Sequence, residues 1–442
     1  MKRKRRRRGV SLGTAFMLLL TAAVMVACVA FLALLVGDGL YEKTGAFIRS
    51  LSERGLFEAD SAPLDSPAPA AAARAAAAMI GDTAAPTAPP DTPRPAPEPV
   101  TLTIAAAGTV YAPKAVRESA QSSGGRYDFS PVFEGLGDTL SAADLAIATL
   151  ETTTAGKDKG FGNYNTAPEI LDGLRGCGVD LLSLGTERAL DKGYEGLDLT
   201  VSELTARGLA YAGVYPDGKK GSATMLRIGG VQVAVLAYSY GLSDEGSQKT
   251  NGDSQGVLAM TDMGSMIRDV MQARVSGANL VIVLPHWGTK NKTETPDTVR
   301  RMARQLAEAG ADVILGTHPN VVQGTERLTV TRADGLDYDA IVCYSLGTLL
   351  TDARNEENTA GMVAHVAVTY DPATRRIVLD NVYCTPVYIA RQREDGDTVY
   401  RVIDAENSGR LEALEETERQ AAREAIEIIR DATMQSGQEG QG

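Results

Sequence analysis

Histidine is scarce in this chain, at three in 442 residues, so the position of each one carries information. His286 directly follows the apolar run Asn279–Pro285, and His318 lies two residues beyond the run Asp312–Gly316. Imidazole nitrogens bind divalent ions and exchange protons near neutral pH. Other polar residues stand at similar strand-end positions: Thr109, Glu151 and the turn Gly185-Thr186-Glu187-Arg188. Imidazoles and carboxylates converging on one sheet edge are the usual material of a hydrolytic metal site. His286, His318 and Glu151 could hold one zinc, manganese or iron ion with open positions. The alternative is that the two histidines bind a ligand directly or are hydrogen-bonded loop residues. On the same edge, Thr109, Glu187, Arg188, Trp287, Asn320 and Gln323 are the candidates for a binding pocket. Trp287, the single tryptophan, could floor that pocket or pack against the following loop.

Other chemistries find less support. GKDKGFGN, residues 156–163, lacks the spacing of a phosphate-cradling loop. No GxSxG elbow is present. His365 lies inside an apolar run on one face with Val363 and Ala367, and reads as a structural histidine. Cys28, Cys177, Cys343 and Cys384 show no CxxC or metal-type spacing; buried free thiols are expected, with one bridged pair as the alternative.

The histidines need elements to position them. Asn279–Pro285 and Asp312–Gly316 are rich in β-branched residues and predict strands. Between them Val299, Met302, Ala303, Leu306 and Ala307 recur at helical spacing, opposite Arg300, Arg301, Arg304 and Glu308. Thr295 and Pro296 predict the helix N-cap and first position, and Gly310 the C-terminal cap. A strand–helix–strand crossover leaves both strand ends on one edge of a parallel sheet, where open α/β sheets bind ligands. Upstream, Thr101–Ala107, Asp144–Leu150 and Val179–Leu184 predict strands. Pro131–Ala142, Pro168–Arg175, Gly193–Ala206 and Asp262–Val275 predict helices. Thr224–Ile228, Gly229-Gly230 and Val231–Tyr238 read as a hairpin. Ala340–Tyr344, Val363–Tyr370 and Arg376–Ala390 read as mostly antiparallel strands, and Arg410–Met434 as an amphipathic helix. The expected fold is mixed α/β, with two packed sheets flanked by helices.

Charge divides the chain. The formal net charge is −12, yet residues 2–8 are all basic and the remainder holds 37 bases against 56 acids. An acidic body argues against nucleic acid as a partner and against simple attraction to a polyanion. Residues 9–37 contain no charge, long enough to cross a hydrocarbon layer of roughly 30 Å, and the basic cluster orients it with the N-terminus inside. Cys28 offers a lipoprotein-type alternative, against which the apolar residues that follow it argue. The expected organisation is a cytoplasmic basic segment (1–9), a single-pass anchor (10–37), a juxtamembrane segment (38–58) and a linker (59–100). The linker region holds ten of the nineteen prolines and suits an extended spacer. A domain (101–392), a terminal strand and helix (393–434) and a disordered tail (435–442) follow, all extracytoplasmic.

The order of Gly108-Thr109, DLAIATLE ending at Glu151, SLGTERALDKG from Ser183, PHWG from Pro285, GTHPNVVQ from Gly316 and YSLGTLLTD from Tyr344 resembles the CapA family. These are the poly-γ-glutamate capsule synthesis proteins, whose domain resembles calcineurin-like metallophosphoesterases. The resemblance covers about Thr101 to Asp352. It implies a membrane-anchored, outward-facing protein of capsule or poly-γ-glutamate-type polymer assembly, with the anionic polymer and capsule synthase subunits as partners. The departures bear on activity. The family's Gly-Asp is Gly108-Thr109, its Asn-Leu-Glu is Thr149-Leu150-Glu151, and its Ala-Asn-Asn-His turn is Gly185-Thr186-Glu187-Arg188. Its His-Pro-His is His318-Pro319-Asn320, and the Asn after Ser-Leu-Gly is Thr348. A two-metal mechanism is therefore not expected. Three readings follow: a binding site in which Arg188 replaces an ion and pairs with a carboxylate or phosphate; a metal-dependent phosphoesterase- or amidase-like hydrolase using one ion on His286, His318 and Glu151, which leaves enzymatic status open; and a structural envelope protein with a vestigial pocket.

Overall fold

A computed structural model of the chain describes residues 98–435, apart from 217, 219–220, 255 and 354–357. The expected cytoplasmic segment, anchor, juxtamembrane segment, most of the linker and the tail lie outside the described residues. Among those described, no helix is long and apolar enough to cross a membrane.

The strands follow in order as β1 (Val100–Val110), β2 (Leu145–Leu150), β3 (Leu181–Ser183), β4 (Ala210–Ala212), β5 (Thr224–Ile228), β6 (Val231–Ser239) and β7 (Leu280–His286), then β8 (Val313–Leu315), β9 (Thr325–Thr331), β10 (Asp337–Cys343), β11 (Thr348–Leu350), β12 (Ala360–Asp371), β13 (Arg376–Glu394) and β14 (Asp397–Asp404). They form two sheets. One runs β14-β13-β12-β1-β2-β3-β4 with β11 paired to β1, and the other β5-β6-β7-β8-β10-β9. β1 to β4 are mutually parallel, as are β6, β7, β8 and β10. The hairpins β5–β6 and β9–β10 and the long β12–β13–β14 meander supply the antiparallel pairs.

Residue alternation sets the layers, because successive strand side chains point to opposite faces. Ile104 and Ala106 of β1, Ile147 of β2, Val233 and Val235 of β6 and Ile282 of β7 face into one core between the sheets. Ala105, Ala107 and Ala148 face outward, against Phe129, Phe133, Leu171, Leu174 and Leu204. On the far side Leu236, Val281, Val283 and Ile314 meet Met266, Val270, Ala303 and Leu306. The result is a helix–sheet–sheet–helix sandwich. Its central strands are apolar on both faces, which is why they read as continuous hydrophobic runs. Each fully buried Val, Leu or Ile contributes about 1.5–3 kcal/mol.

Among the outer helices are α1 (Ile170–Gly176), α2 (Gly193–Ala206), α3 (Asp244–Thr250), α4 (Met263–Val275) and α5 (Asp297–Ala309), with α6 (Glu416–Gln435) at the end. α5 begins one residue later than its sequence predicts. Pro296 occupies the cap in an extended conformation, and the Thr295 hydroxyl is drawn instead to Gln323 Oε1 at 3.4 Å. The expected boundary at 392/393 falls inside β13, and Leu414, Ala422, Ala425, Ile426 and Ile429 complete the core between the sheets. The terminal strand and helix therefore belong to the main domain. Cys177 and Cys343 are buried, Cys384 is half-buried, and all three are free. His365 meets the Thr385 hydroxyl at 3.2 Å and stacks on Tyr383, a structural histidine as expected.

The parallel strands share one device at their N-terminal edge. The residue just before β2, β3, β7 and β8 is Asp144, Asp180, Asn279 and Asp312. Each uses a side-chain oxygen to accept the backbone N–H of the neighbouring strand: Thr103, Ala146, Gln232 and Val281, at 2.8–2.9 Å. Each also donates its own backbone N–H to the carbonyl of that same residue. This two-point clasp fixes register from the edge opposite the histidines.

Candidate functional site

His286 closes β7, and His318 follows β8 in a tight loop. His318 is held at φ 101°, a left-handed conformation that costs a non-glycine residue about 1–3 kcal/mol. The approach of the two loops requires a glycine nearby. A Cβ at Gly316 would lie 2.1 Å from the Tyr344 carbonyl oxygen and 2.5 Å from Trp287 Nε1. The strain and the close approach bring the rings together: His286 Nε2 and His318 Nδ1 are 3.2 Å apart, while His286 Nδ1 meets the Thr317 hydroxyl at 3.0 Å.

Glu187, from the turn after β3, is the carboxylate within reach of both imidazoles. Ligand atoms of Glu187, His286 and His318 lie within 4.8 Å of one another. Sequence reasoning placed Glu151 in that set and Glu187 in the pocket; the fold puts Glu187 nearer, because β3 ends in a turn that projects toward the other sheet. Glu187 is heavily engaged. It accepts from Lys290 Nζ at 2.8 Å and from the Tyr240 hydroxyl, and lies 3.3 Å from Arg188 Nε. Tyr240 packs its ring 4.4 Å from that of His318. Lys290 also stands 3.8 Å from Glu151 Oε1. An ammonium thus lies between the two carboxylates, four residues beyond His286.

Arg188 is committed within the protein. Its guanidinium lies 3.7 Å over the Tyr164 ring and 3.4 Å from Asp191, so part of its charge is spent inside the protein. Asp191 also accepts from the Ser243 hydroxyl. Two other expected pocket residues turn inward. Trp287 is buried and donates its indole N–H to the Tyr344 carbonyl just past β10, so it is packed into the core and does not floor a pocket. Gln323 is buried, with its amide nitrogen donating to the Lys292 and Glu294 carbonyls, and it clamps the loop that carries Lys290. Thr109, Glu151 and Asn320 do share a cavity of about 120 Å³, together with Tyr111, Tyr164, Thr348 and Asn358. Lys290, Tyr240, Asp191, Tyr111 and Tyr164 escaped sequence reasoning. Only Lys290 left a signal, as a cation in the loop directly after a candidate ligand.

Burial dominates the electrostatics. It drives both imidazoles toward the neutral form: His286 lies well below its usual range and His318 is pushed down to about 4, with Lys290 and Arg188 adding to the effect. Burial lifts Glu151 to about 7 against the pull of Lys290. For Glu187 burial acts in the same direction, but the hydrogen bonds from Lys290 and Tyr240 outweigh it and hold the carboxyl below its usual range. With neutral histidines and Glu151 ionised, as above about pH 7, three carboxylates (Glu151, Glu187, Asp191) face two cations (Arg188, Lys290). The cluster is short of one positive charge.

Residues 103–353 match the family described as bacterial capsule synthesis protein PGA_cap. The chain is 29% identical over 194 residues to the PGA biosynthesis protein CapA of Bacillus subtilis, covering 43% of this chain and 47% of that protein. It is 24% identical over 272 residues to the capsule biosynthesis protein CapA of Bacillus anthracis, covering 57% and 60%. The chain thus spans about half to three fifths of the length of these relatives. Among solved structures, the calcineurin-like phosphoesterase YfkN from Bacillus subtilis aligns over 75% of this chain and 100% of that one, at 11% identity and a TM-score of 0.40.

Proposed function

The chain belongs to the bacterial capsule synthesis protein PGA_cap family, and on that premise we propose that it acts in the synthesis or attachment of a poly-γ-glutamate-type surface polymer, by binding and not by two-metal catalysis. The observation that carries this reading is the Lys290 ammonium, 2.8 Å from Glu187 and 3.8 Å from Glu151. It supplies from within the chain the positive charge that bound ions would bring to these carboxylates. Two ions would need further anionic or imidazole ligands, and at the matching positions the chain offers Thr109, Arg188 and Asn320, a poor donor set for cations. The domain is proposed to be carried outside the membrane by residues 10–37, with synthase subunits as further partners.

A second reading rests on a different observation. The 3.2 Å separation of His286 Nε2 and His318 Nδ1, with Glu187 close by, suits the ligand spacing of a single ion. His286, His318 and Glu187 would hold it, and it would supply Lewis-acid polarisation of a phosphoryl or carbonyl oxygen.

Elemental analysis of the purified chain after dialysis separates the two. The binding reading expects less than stoichiometric zinc, manganese or iron and no hydrolysis of phosphodiester or γ-glutamyl test substrates. Stoichiometric metal, lost together with hydrolysis in His286→Ala and His318→Ala, would establish the single-ion enzyme instead.

A further inference from the structure

Glu151 is 3% exposed, yet its carboxyl receives no hydrogen bond from the described residues. Its nearest cation, Lys290, sits a full ångström closer to Glu187. A buried carboxylate left in this state is costly, and Glu151 is not alone. It lines the cavity of about 120 Å³ with Thr109 and Asn358, and Thr109 Oγ1 and Asn358 Oδ1 are themselves buried without a partner among the described residues. The Asn358 amide nitrogen already donates to Asn291 Oδ1 at 3.0 Å, so its oxygen is left as a pure acceptor. Among the described residues, what the cavity lacks is therefore N–H donors and positive charge. Tyr111 and Tyr164, whose rings stack at 4.7 Å, add apolar wall for the carbons beside such a group, while Arg188 already lies over the Tyr164 ring.

We propose that this cavity binds a primary ammonium group, with Glu151 as its counter-ion and Asn358 Oδ1 and Thr109 Oγ1 as further acceptors. Its volume suits the ammonium with its first few carbons, since a cavity of roughly 150 Å³ holds a benzene molecule. A divalent ion fits less well, because the lining offers one carboxylate and otherwise neutral oxygens. A carboxylate or phosphate would meet Glu151 with like charge. The inference rests on the reading above and deepens it. A chain of amide-linked glutamates is anionic along its length and cationic only at its free amino end. An acidic protein that handles such a polymer can hold it by that end without fighting the charge of the rest.

Calorimetric titration of the purified full-length chain tests this with three probes: a γ-glutamyl trimer with a free amino end, the same trimer N-acetylated, and n-propylamine. Charge-assisted hydrogen bonds set the scale. Acetylation and Glu151→Gln are each expected to weaken trimer binding by about ten-fold or more, and the acetylated trimer is expected to be indifferent to Glu151→Gln. Thr109→Val, close in shape, is expected to weaken the free trimer by about three-fold or more, and serves if Glu151→Gln does not fold. Equal affinity for free and acetylated trimers overturns the ammonium site while leaving polymer binding standing. Propylamine bound in a Glu151-dependent way, with neither trimer bound, upholds the ammonium site and removes the polymer reading. No binding of any probe overturns both.

Discussion

Glu151 couples the site to the stability of the fold. Burial raises its carboxyl from 4.5 to about 7, so the folded chain holds this proton more tightly than the unfolded one. Stability from this group is fully present below about pH 4.5 and is lost as pH rises toward 7, by up to roughly 3 kcal/mol. Glu151→Gln abolishes the titration. Urea unfolding should find the variant about 1–3 kcal/mol more stable than the parent at pH 8 and nearly equal to it at pH 4; parity at pH 8 would contradict the assignment. Lys290→Met works in the opposite sense. Removing the ammonium leaves Glu151 without its nearest cation and Glu187 with Arg188 alone, at a cost of about 1–3 kcal/mol. Added manganese or zinc should raise the melting temperature of that variant more than that of the parent, and equal shifts would deny Lys290 the role of internal cation. His286, His318, Glu187 and Arg188 were legible from the sequence because strand ends can be read from hydrophobic runs. Lys290 and Tyr240 sit in loops, where no periodicity betrays which side chain turns inward.

Elements were legible in proportion to how much of their own stability they supply. α2 and the β5–β6 hairpin begin where their sequences say, at Gly193 and Thr224, since a long helix and a Gly-Gly turn are specified locally. β4 spans three residues, Ala210–Ala212, and stands on its pairing with β3 and not on any preference of its own. β9 was missed as well: it forms an edge of its sheet through antiparallel pairing with β10. The clasp before β8 is the most heavily loaded of the four. Asp312 accepts from Val281 N, from Arg274 Nη2 at 2.5 Å and from Arg332 Nη2 at 3.0 Å. Asp312→Ala should lower stability by about 3–5 kcal/mol, because two arginines lose their buried partner. The lighter clasp lost in Asp180→Ala should cost only about 1–2 kcal/mol. Denaturant midpoints check the ranking, and equal losses would refute it.

At the scale of the molecule, the expectation of two sheets flanked by helices matches the described architecture. What the sequence could not reveal is that α6 closes the sandwich through Ile426 and Ile429, since an amphipathic stripe does not say which surface it meets. The proposed topology is open to a direct check. On cells stripped of wall, an external protease should remove everything beyond about Ala62, and full protection would refute the outward orientation.

The clasps and the histidines occupy opposite ends of the same strands. At one end Asp144, Asp180, Asn279 and Asp312 reach across with side chains, and at the other the backbone itself ties the strands, as from Thr317 N–H to the Pro285 carbonyl. Where the backbone alone holds an end, the side chains there can vary and the sheets will still align. The architecture thus leaves its chemistry to the side chains, and on the binding reading proposed above a lysine from a neighbouring loop supplies the charge that an ion would otherwise bring.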